Sequence, residues 1–391
     1  MKKTILARSI MAVFIIQLLV TYDVFAEKSI KTLLNEIKLA GSAQEKSKIL
    51  RQLQEKSPVT TEDEVAVIDA LDNSDLDVQE TAVEIVSSAK IKNASGKLLQ
   101  KVRDIPKIKV EKVSPEKEKE YRIKSLSALA LSEMKDMKAL PVIITLLGEA
   151  PSQAAYDENI LAISAVNYGK DALKPVTKKI EEYGRRNPYG KMRLLSVVMN
   201  MKDRDAISDL KNMFDDSNDP DVKSAAARGL RNLGTPIEIS KIINTLEQVE
   251  SNPQRGKQWR ETRLDLIKEL GFSGNPEAIP MLKSNIDREL KRDRFNPSCY
   301  SETLALARIG GQESYQFLIT IYNEHKNLQG DIIMAFGNGK MSEAIPFLIK
   351  LINDRNIDKQ LRLYGTDSLG HITGEKEKYM KVRWEIESDK R

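Results

Sequence analysis

The feature that most constrains this chain is a short segment that keeps returning. It reads Lys138-Ala-Leu-Pro-Val-Ile143, Asp171-Ala-Leu-Lys-Pro-Val176, Asp205-Ala-Ile-Ser-Asp-Leu210, Glu277-Ala-Ile-Pro-Met-Leu282 and Glu343-Ala-Ile-Pro-Phe-Leu348. Its alanines are Ala139, Ala172, Ala206, Ala278 and Ala344, and the last two gaps are each about twice the first two. A unit of roughly 34 residues therefore recurs. Diverged copies fall at Pro236–Ile242 and Gln312–Leu318, where the two long gaps place them. A unit this short cannot bury an apolar face alone. It has to stack on copies of itself.

Each segment reads as a helix start. An acidic residue leads in most copies, which suits the positive end of the helix dipole, with Lys138 the exception. A proline in the first turn costs little, because its missing N–H has no intrahelical partner there. Apolar residues then follow at helical spacing, Ile279, Leu282 and Ile286 in one copy and Ile345, Leu348 and Leu351 in another. A second helix precedes each start. In Asp219–Gly234 the stripe is Val222, Ala226, Leu230 and Leu233, with Ala225, Ala227 and Gly229 small enough to let a neighbour approach. Gly234 is placed to end that helix in a left-handed cap, and Gly271, Gly310, Gly337 and Gly370 are read as the same cap in other units. Asp75–Val86 is an N-terminal copy without the glycine. Two helices of roughly ten to fifteen residues per unit, repeated about eight or nine times between Ser29 and the C-terminus, predict an all-α, right-handed α-solenoid of stacked helical hairpins. The composition agrees. The chain is 41% apolar but only 5% aromatic, and it is rich in Leu, Ala, Lys and Glu, which favour helix.

The run Asp219-Pro-Asp-Val-Lys223, then small residues, then Leu230-Arg-Asn-Leu-Gly234, resembles the HEAT repeat in the short form of the phycobilisome-lyase-type proteins. The resemblance covers most of the chain. Asp367–Gly374, followed by Trp384, is similar to the closing unit of exported bacterial HEAT proteins, where a Thr-Gly turn ends the last standard helix. That family includes scaffolds, bilin lyases and nucleic-acid enzymes, so the resemblance implies a fold more narrowly than a function.

The segment Met1–Ala26 follows another plan. Lys2, Lys3 and Arg8 precede or border the apolar stretch Ile10–Val20, and Val24-Phe25-Ala26 offers a cleavage site. This is the layout of a secretory signal peptide, with the repeat domain then running over residues 27–391. Asp23 lies close to the cut, and an uncleaved anchor is the alternative. No apolar run reaches the ~18 residues of a membrane span. Losing Lys2, Lys3, Arg8 and Asp23 reduces the formal charge from +5 to +3, weak for a nucleic-acid binder, and export argues the same way. The stretch 101–120, dense in Lys and Glu with Pro106 and Pro115, reads as a charged loop or insertion.

Chemistry is sparse. His325 and His371 are the only histidines, and both sit at predicted helix ends. Cys299, the single cysteine, reads as a buried structural thiol. Phe336-Gly-Asn-Gly-Lys340 has glycines but no preceding strand and no Ser or Thr after the lysine, so it reads as a turn rather than a phosphate loop. Asp215–Asp221 lacks the ligand spacing of a calcium loop and reads as a helix end followed by a cap. No catalytic set, metal site or cofactor is expected. An exported or bilin-lyase-like enzyme, its site spread over several repeats, is the alternative.

Binding is the expected role, as a protein-interaction scaffold in the bacterial cell envelope. Three basic junctions, each with an aromatic, lead into second helices: Arg185, Arg186, Tyr189, Lys191 and Arg193; Arg255, Lys257, Trp259 and Arg260; Lys291, Arg292, Arg294 and Phe295. Equivalent places in the repeat predict a shared edge for an anionic partner, an acidic protein or an envelope polymer. Solvated loop charges, with Trp259 packed in the core, are the plainer reading. Amino-terminal sequencing of the exported protein is expected to begin at Glu27, and Ile15→Asp with Ile16→Asp is expected to hold the chain in the cytoplasm.

Overall fold

The computed structural model describes residues 28–55, 59–103, 114–149, 155–184, 186–251, 257–292 and 299–389. The signal-like segment lies outside them. The described residues are all-helical, with 21 α-helices and no strand. None of these helices is long and apolar enough to cross a membrane. The chain divides into two compact units, one ending at Val197 and the other beginning at Val198.

The N-terminal unit holds α1 (Ile30–Leu39), α2 (Ala43–Gln54), α3 (Thr61–Ala70), α4 (Leu76–Ala89), α5 (Ser95–Arg103), α6 (Pro115–Glu133), α7 (Leu140–Glu149), α8 (Ala155–Asn167), α9 (Leu173–Tyr183) and most of α10 (Pro188–Met199). Each odd helix through α7 pairs with the even helix after it, and α2, α4, α6 and α8 pack in succession. The C-terminal unit holds α11 (Ile207–Asp216), α12 (Pro220–Asn232), α13 (Ile239–Ser251), α14 (Lys257–Ser273), α15 (Ile279–Arg292), α16 (Tyr300–Ile309), α17 (Gly311–Glu324), α18 (Gln329–Gly339), α19 (Ile345–Asn353), α20 (Lys359–Thr373) and α21 (Lys376–Ser388). Here α12, α14, α16, α18 and α20 form the row, each odd helix from α11 to α19 pairs with the even helix after it, and α21 packs on α20.

The recurring alanines are where odd helices begin. Ala139, Ala172, Ala206, Ala278 and Ala344 are all fully buried, and each closes a tight turn that runs into the helix. In three copies the cap lies three residues before the alanine. Asp136 accepts from the Lys138 N–H (3.0 Å), Asp203 from that of Asp205 (3.0 Å) and Asn275 from that of Glu277 (2.9 Å). Ala94, equally buried after a similar turn, starts α5 in the same way. The second helices are capped by the first Asp of the Asp-x-Asp-Val motif, Asp75 in α4 and Asp219 in α12. The second Asp of each motif reaches along the even row: Asp77 takes Lys46 of α2 at 2.9 Å and Lys119 of α6, and Asp221 takes the Thr262 hydroxyl of α14. Asp215 and Asp216 end α11 ahead of the Asp219 cap, as their spacing predicts.

The glycines divide into two jobs. Gly234 and Gly310 do take positive φ, and the Gly234 and Thr235 N–H groups close a Schellman motif on the Arg231 and Leu230 carbonyls. Gly374 ends α20 in the same left-handed conformation. Gly271, Gly337 and Gly370 lie inside helices instead. A Cβ on Gly271 would stand 2.7 Å from the Ala305 Cα of α16, and one on Gly337 would stand 2.6 Å from the Ser368 Cα of α20. The absent side chains of Gly271 and Gly337 let backbones approach, while Gly370 has only ordinary contacts. The left-handed caps after α4, α6 and α18 fall on lysines, Lys90, Lys135 and Lys340. Phe336–Gly339 is therefore the last turn of α18, with Lys340 as its cap, rather than a free turn.

The described ends of the charged stretch 101–120 belong to helices. Residues 101–103 finish α5, and Pro115 opens α6 at a first-turn position with Ser114 as its cap. Residues 104–113 lie outside the described residues. The predicted stripe of α12 is buried at Val222, Ala226 and Leu230, while Leu233 is half-buried.

Gly271→Ala is expected to lower stability by about 1–3 kcal/mol, because a backbone has to move, despite the ~1 kcal/mol helix-propensity gain. Gly96→Ala, also helical but with open space around its Cβ position, is expected to raise it by about 0.5 kcal/mol. Thermal unfolding followed by circular dichroism should show the two midpoints moving in opposite directions.

Candidate functional site

The three basic junctions are divided between the two units. The first lies in the N-terminal unit and the other two in the C-terminal unit. Arg185, Arg255 and Arg294 lie outside the described residues. Lys257 and Trp259 begin α14, and their side chains are also outside the description. Arg186 is exposed and donates to the Glu182 carbonyl, and Tyr189 is exposed. Lys191 is 5% exposed, so it does not offer its ammonium to a partner, and Arg193 is half-buried. Arg260 is exposed. Arg292 pairs with Glu289 one turn back on its own helix.

A different surface stands out on the row of even helices in the C-terminal unit. Phe272 of α14 is 47% exposed. Arg231 from α12 sets its guanidinium 4.4 Å from the Phe272 ring centre, and Arg308 from α16 sets its own at 4.1 Å. The helices on either side thus each send one cation to the same ring, a favourable arrangement for the ring quadrupole. Arg231 also pairs at 2.7 Å with Glu269, one turn before Phe272 and buried. Burial raises the Glu269 pKa, against the Arg231 hydrogen bond. Burial lowers that of Arg308, and the neighbouring Arg231 charge acts the same way. Arg228 completes the group, with its Nη1 3.8 Å from the Met199 sulfur and its Nε unpartnered. Beside Arg231, a groove of about 580 Å³ opens between Asn200–Arg204 and Asn232–Gly234, with Lys202 and Arg204 on its wall.

None of these residues announces itself in sequence. Arg231 lies inside the repeat motif, and Phe272 and Arg308 each follow a small residue that packs between helices. Only their shared register along the even row joins them.

A second polar group is internal. Arg263 of α14 lies between Glu250 of α13 (3.1 Å) and Glu302 of α16 (2.5 Å), and Arg288 of α15 also pairs with Glu250. Glu302 and Asn285 are fully buried; both Asn285 amide atoms and Glu302 Oε2 lack a hydrogen-bond partner. Burial raises the Glu302 pKa, outweighing Arg263. At Arg263 the balance reverses: burial opposes its charge, but two carboxylates raise its pKa. Arg263 has two counterions, whereas Glu302 has one cation and an idle oxygen. Cys299, 1% exposed, is pushed up to about 12 by burial, with the Glu302, Asp331 and Glu289 charges adding to it. It is the buried thiol its context predicts, and it stays protonated.

His325 ends α17 and His371 lies exposed in the last turn of α20. Among the described residues, no group of His, Cys, Asp and Glu is placed to hold a metal.

No protein-family model and no curated protein matches the chain. An engineered protein of known crystal structure is similar at 14% identity and a TM-score of 0.35, over 88% of this chain and 99% of that one.

The internal cluster has a pH signature. A carboxyl whose folded pKa is raised contributes stability that is present below its ordinary value and lost as pH rises through the folded value. Wild type therefore carries the cost of keeping this carboxyl buried at pH ~7.5, above the ordinary carboxyl range, and is relieved of it near pH ~4.5. The midpoint of Glu302→Gln minus that of wild type should be larger at the higher pH. A difference that grows on acidification would contradict the raised pKa.

Proposed function

We propose that this protein is a non-catalytic interaction scaffold, exported to the bacterial cell envelope and built as a right-handed α-solenoid of eight or nine HEAT-like hairpins. The solenoid reading is supported by the repeat period, by the odd–even pairing of helices within each unit, and by the even row that runs through each. Export rests on the signal-like segment Met1–Ala26.

One observation carries the functional reading, the half-exposed Phe272 between Arg231 and Arg308. Aromatic and arginine side chains supply most binding energy at protein interfaces, because they combine large apolar area with directed polar contacts. A ring of this size left 47% exposed, while its neighbours pack closely, is an anchor ready for a partner. The cations on it are held in place before binding, which reduces the entropy lost on association. The partner is another protein of the envelope, and no cofactor is involved.

Purified mature protein is expected to retain a defined partner from envelope extract, identified by mass spectrometry and recovered in stoichiometric amount. Phe272→Ser, shown by circular dichroism to keep its helix content, is expected to reduce that recovery at least ~10-fold, the loss typical of a binding hot spot. An unchanged partner set for Phe272→Ser would remove this face from the function.

A further inference from the structure

We infer that the Arg231–Phe272–Arg308 anchor takes an acidic polypeptide segment, with a side-chain carboxylate seated on the Arg308 guanidinium. The inference rests on the scaffold reading and narrows it to one kind of partner.

Arg308 is the pivot. Its guanidinium lies over Phe272 at 4.1 Å, and among the described residues it has no hydrogen bond and no ion pair. Arg231, over the same ring, already shares the Glu269 carboxylate. Three guanidinium groups, Arg228, Arg231 and Arg308, thus gather around the buried Glu269 carboxylate, while Asp265 on the same helix is paired with Lys268 and Tyr300 lies near Arg308. Arg308 is held partly out of water, next to another cation, with five N–H donors to satisfy. An incoming anion would satisfy those donors and relieve the repulsion. The flat fork of a guanidinium matches a carboxylate in two parallel hydrogen bonds.

The surroundings favour a peptide over a phosphate polymer. The exposed part of Phe272 needs an apolar group to cover it. A polypeptide can set an aliphatic side chain there while an acidic neighbour meets Arg308, and a chain of phosphates has nothing to offer the ring. The groove beyond Asn232 extends the positive surface through Lys202 and Arg204. Asp203, in the same loop, accepts from the Asp205 N–H to cap the turn that leads into α11, and Asp205 is the exposed acid there. A segment with two or more carboxylates could therefore run from Arg308 toward Lys202.

The test uses the full mature chain and a fluorescein-labelled poly-Glu peptide with one central Leu, read by fluorescence anisotropy. Wild type should bind this peptide, bind the counterpart with Gln for Glu at least ~10-fold more weakly, and lose affinity as salt is raised. Arg308→Gln should weaken the poly-Glu peptide ~10-fold or more, as expected for a charge-assisted hydrogen-bond pair. Arg308→Lys, which keeps charge but loses the fork, should fall between. Lys350→Gln, the same charge change at an exposed site on α19, should leave affinity unchanged. Matching melts for all variants exclude unfolding. Equal affinity of wild type and Arg308→Gln for the peptide overturns the inference, as does equal binding of the Gln counterpart. Inorganic polyphosphate that binds in an Arg308-dependent way, where the peptide does not bind, overturns it too. Any of these results, with partner capture still impaired in Phe272→Ser, removes only the carboxylate claim. Unimpaired capture in that variant removes the scaffold reading of the face.

Discussion

Close approach of backbones along the even-numbered helices is the constraint on which the rest of the C-terminal unit depends. Gly271 meets Ala305, and Gly337 meets Ser368, at distances no added Cβ could tolerate. Gly339 sits equally tight on Ala307, and Gly229 on the Val198 carbonyl. This spacing also decides what happens on the outside. Phe272 follows Gly271, and Arg308 lies one helical turn after Ala305, so the contact that draws α14 onto α16 brings the ring under the guanidinium. The cation–π stack is a consequence of packing as much as of its own attraction, which is typically about 0.5–1 kcal/mol at exposed sites.

Polar groups show where packing was not the only consideration. Arg263 bridges three helices through Glu250 and Glu302, and this internal pairing is fully enclosed on one side. Such pairs seldom add much net stability, since desolvation offsets the attraction, but removing one partner is costly. They join α13, α14 and α16 through one connected set of charges. Asp77 and Asp221 do similar work at the even-helix starts, each satisfying its own helix dipole and a neighbour's side chain.

The helical character and the repeat were legible because they are periodic. A buried alanine at six of the odd-helix starts and a repeated Asp-x-Asp-Val cap leave a signal that survives divergence. The ends of the even helices were less legible. A glycine can serve a left-handed turn or a close approach, and the letter alone does not say which. Gly234 served the first and Gly271 the second, three residues ahead of Gly274, which carries the positive φ. Lys90, Lys135 and Lys340 were invisible as caps, because lysine carries no such expectation. The proposed surface site was the least legible. Basic clusters draw the eye, and Lys191 in one of them is buried. Arg231, Phe272 and Arg308 stand far apart in the chain and become neighbours only once helices are in register. Charge density along the chain is a poor guide to a site assembled across it.

Cys299 leaves a practical opening. It is the only sulfhydryl in the chain, it is 1% exposed, and it is held protonated well above neutral pH. Thiol reagents act on the exposed thiolate, so the folded native protein is chemically silent toward them. A single cysteine introduced anywhere on the surface would then be the one reactive handle on the molecule. Spectroscopic probes and cross-linkers could be placed one position at a time, without first deleting the native residue and disturbing the charges packed around it.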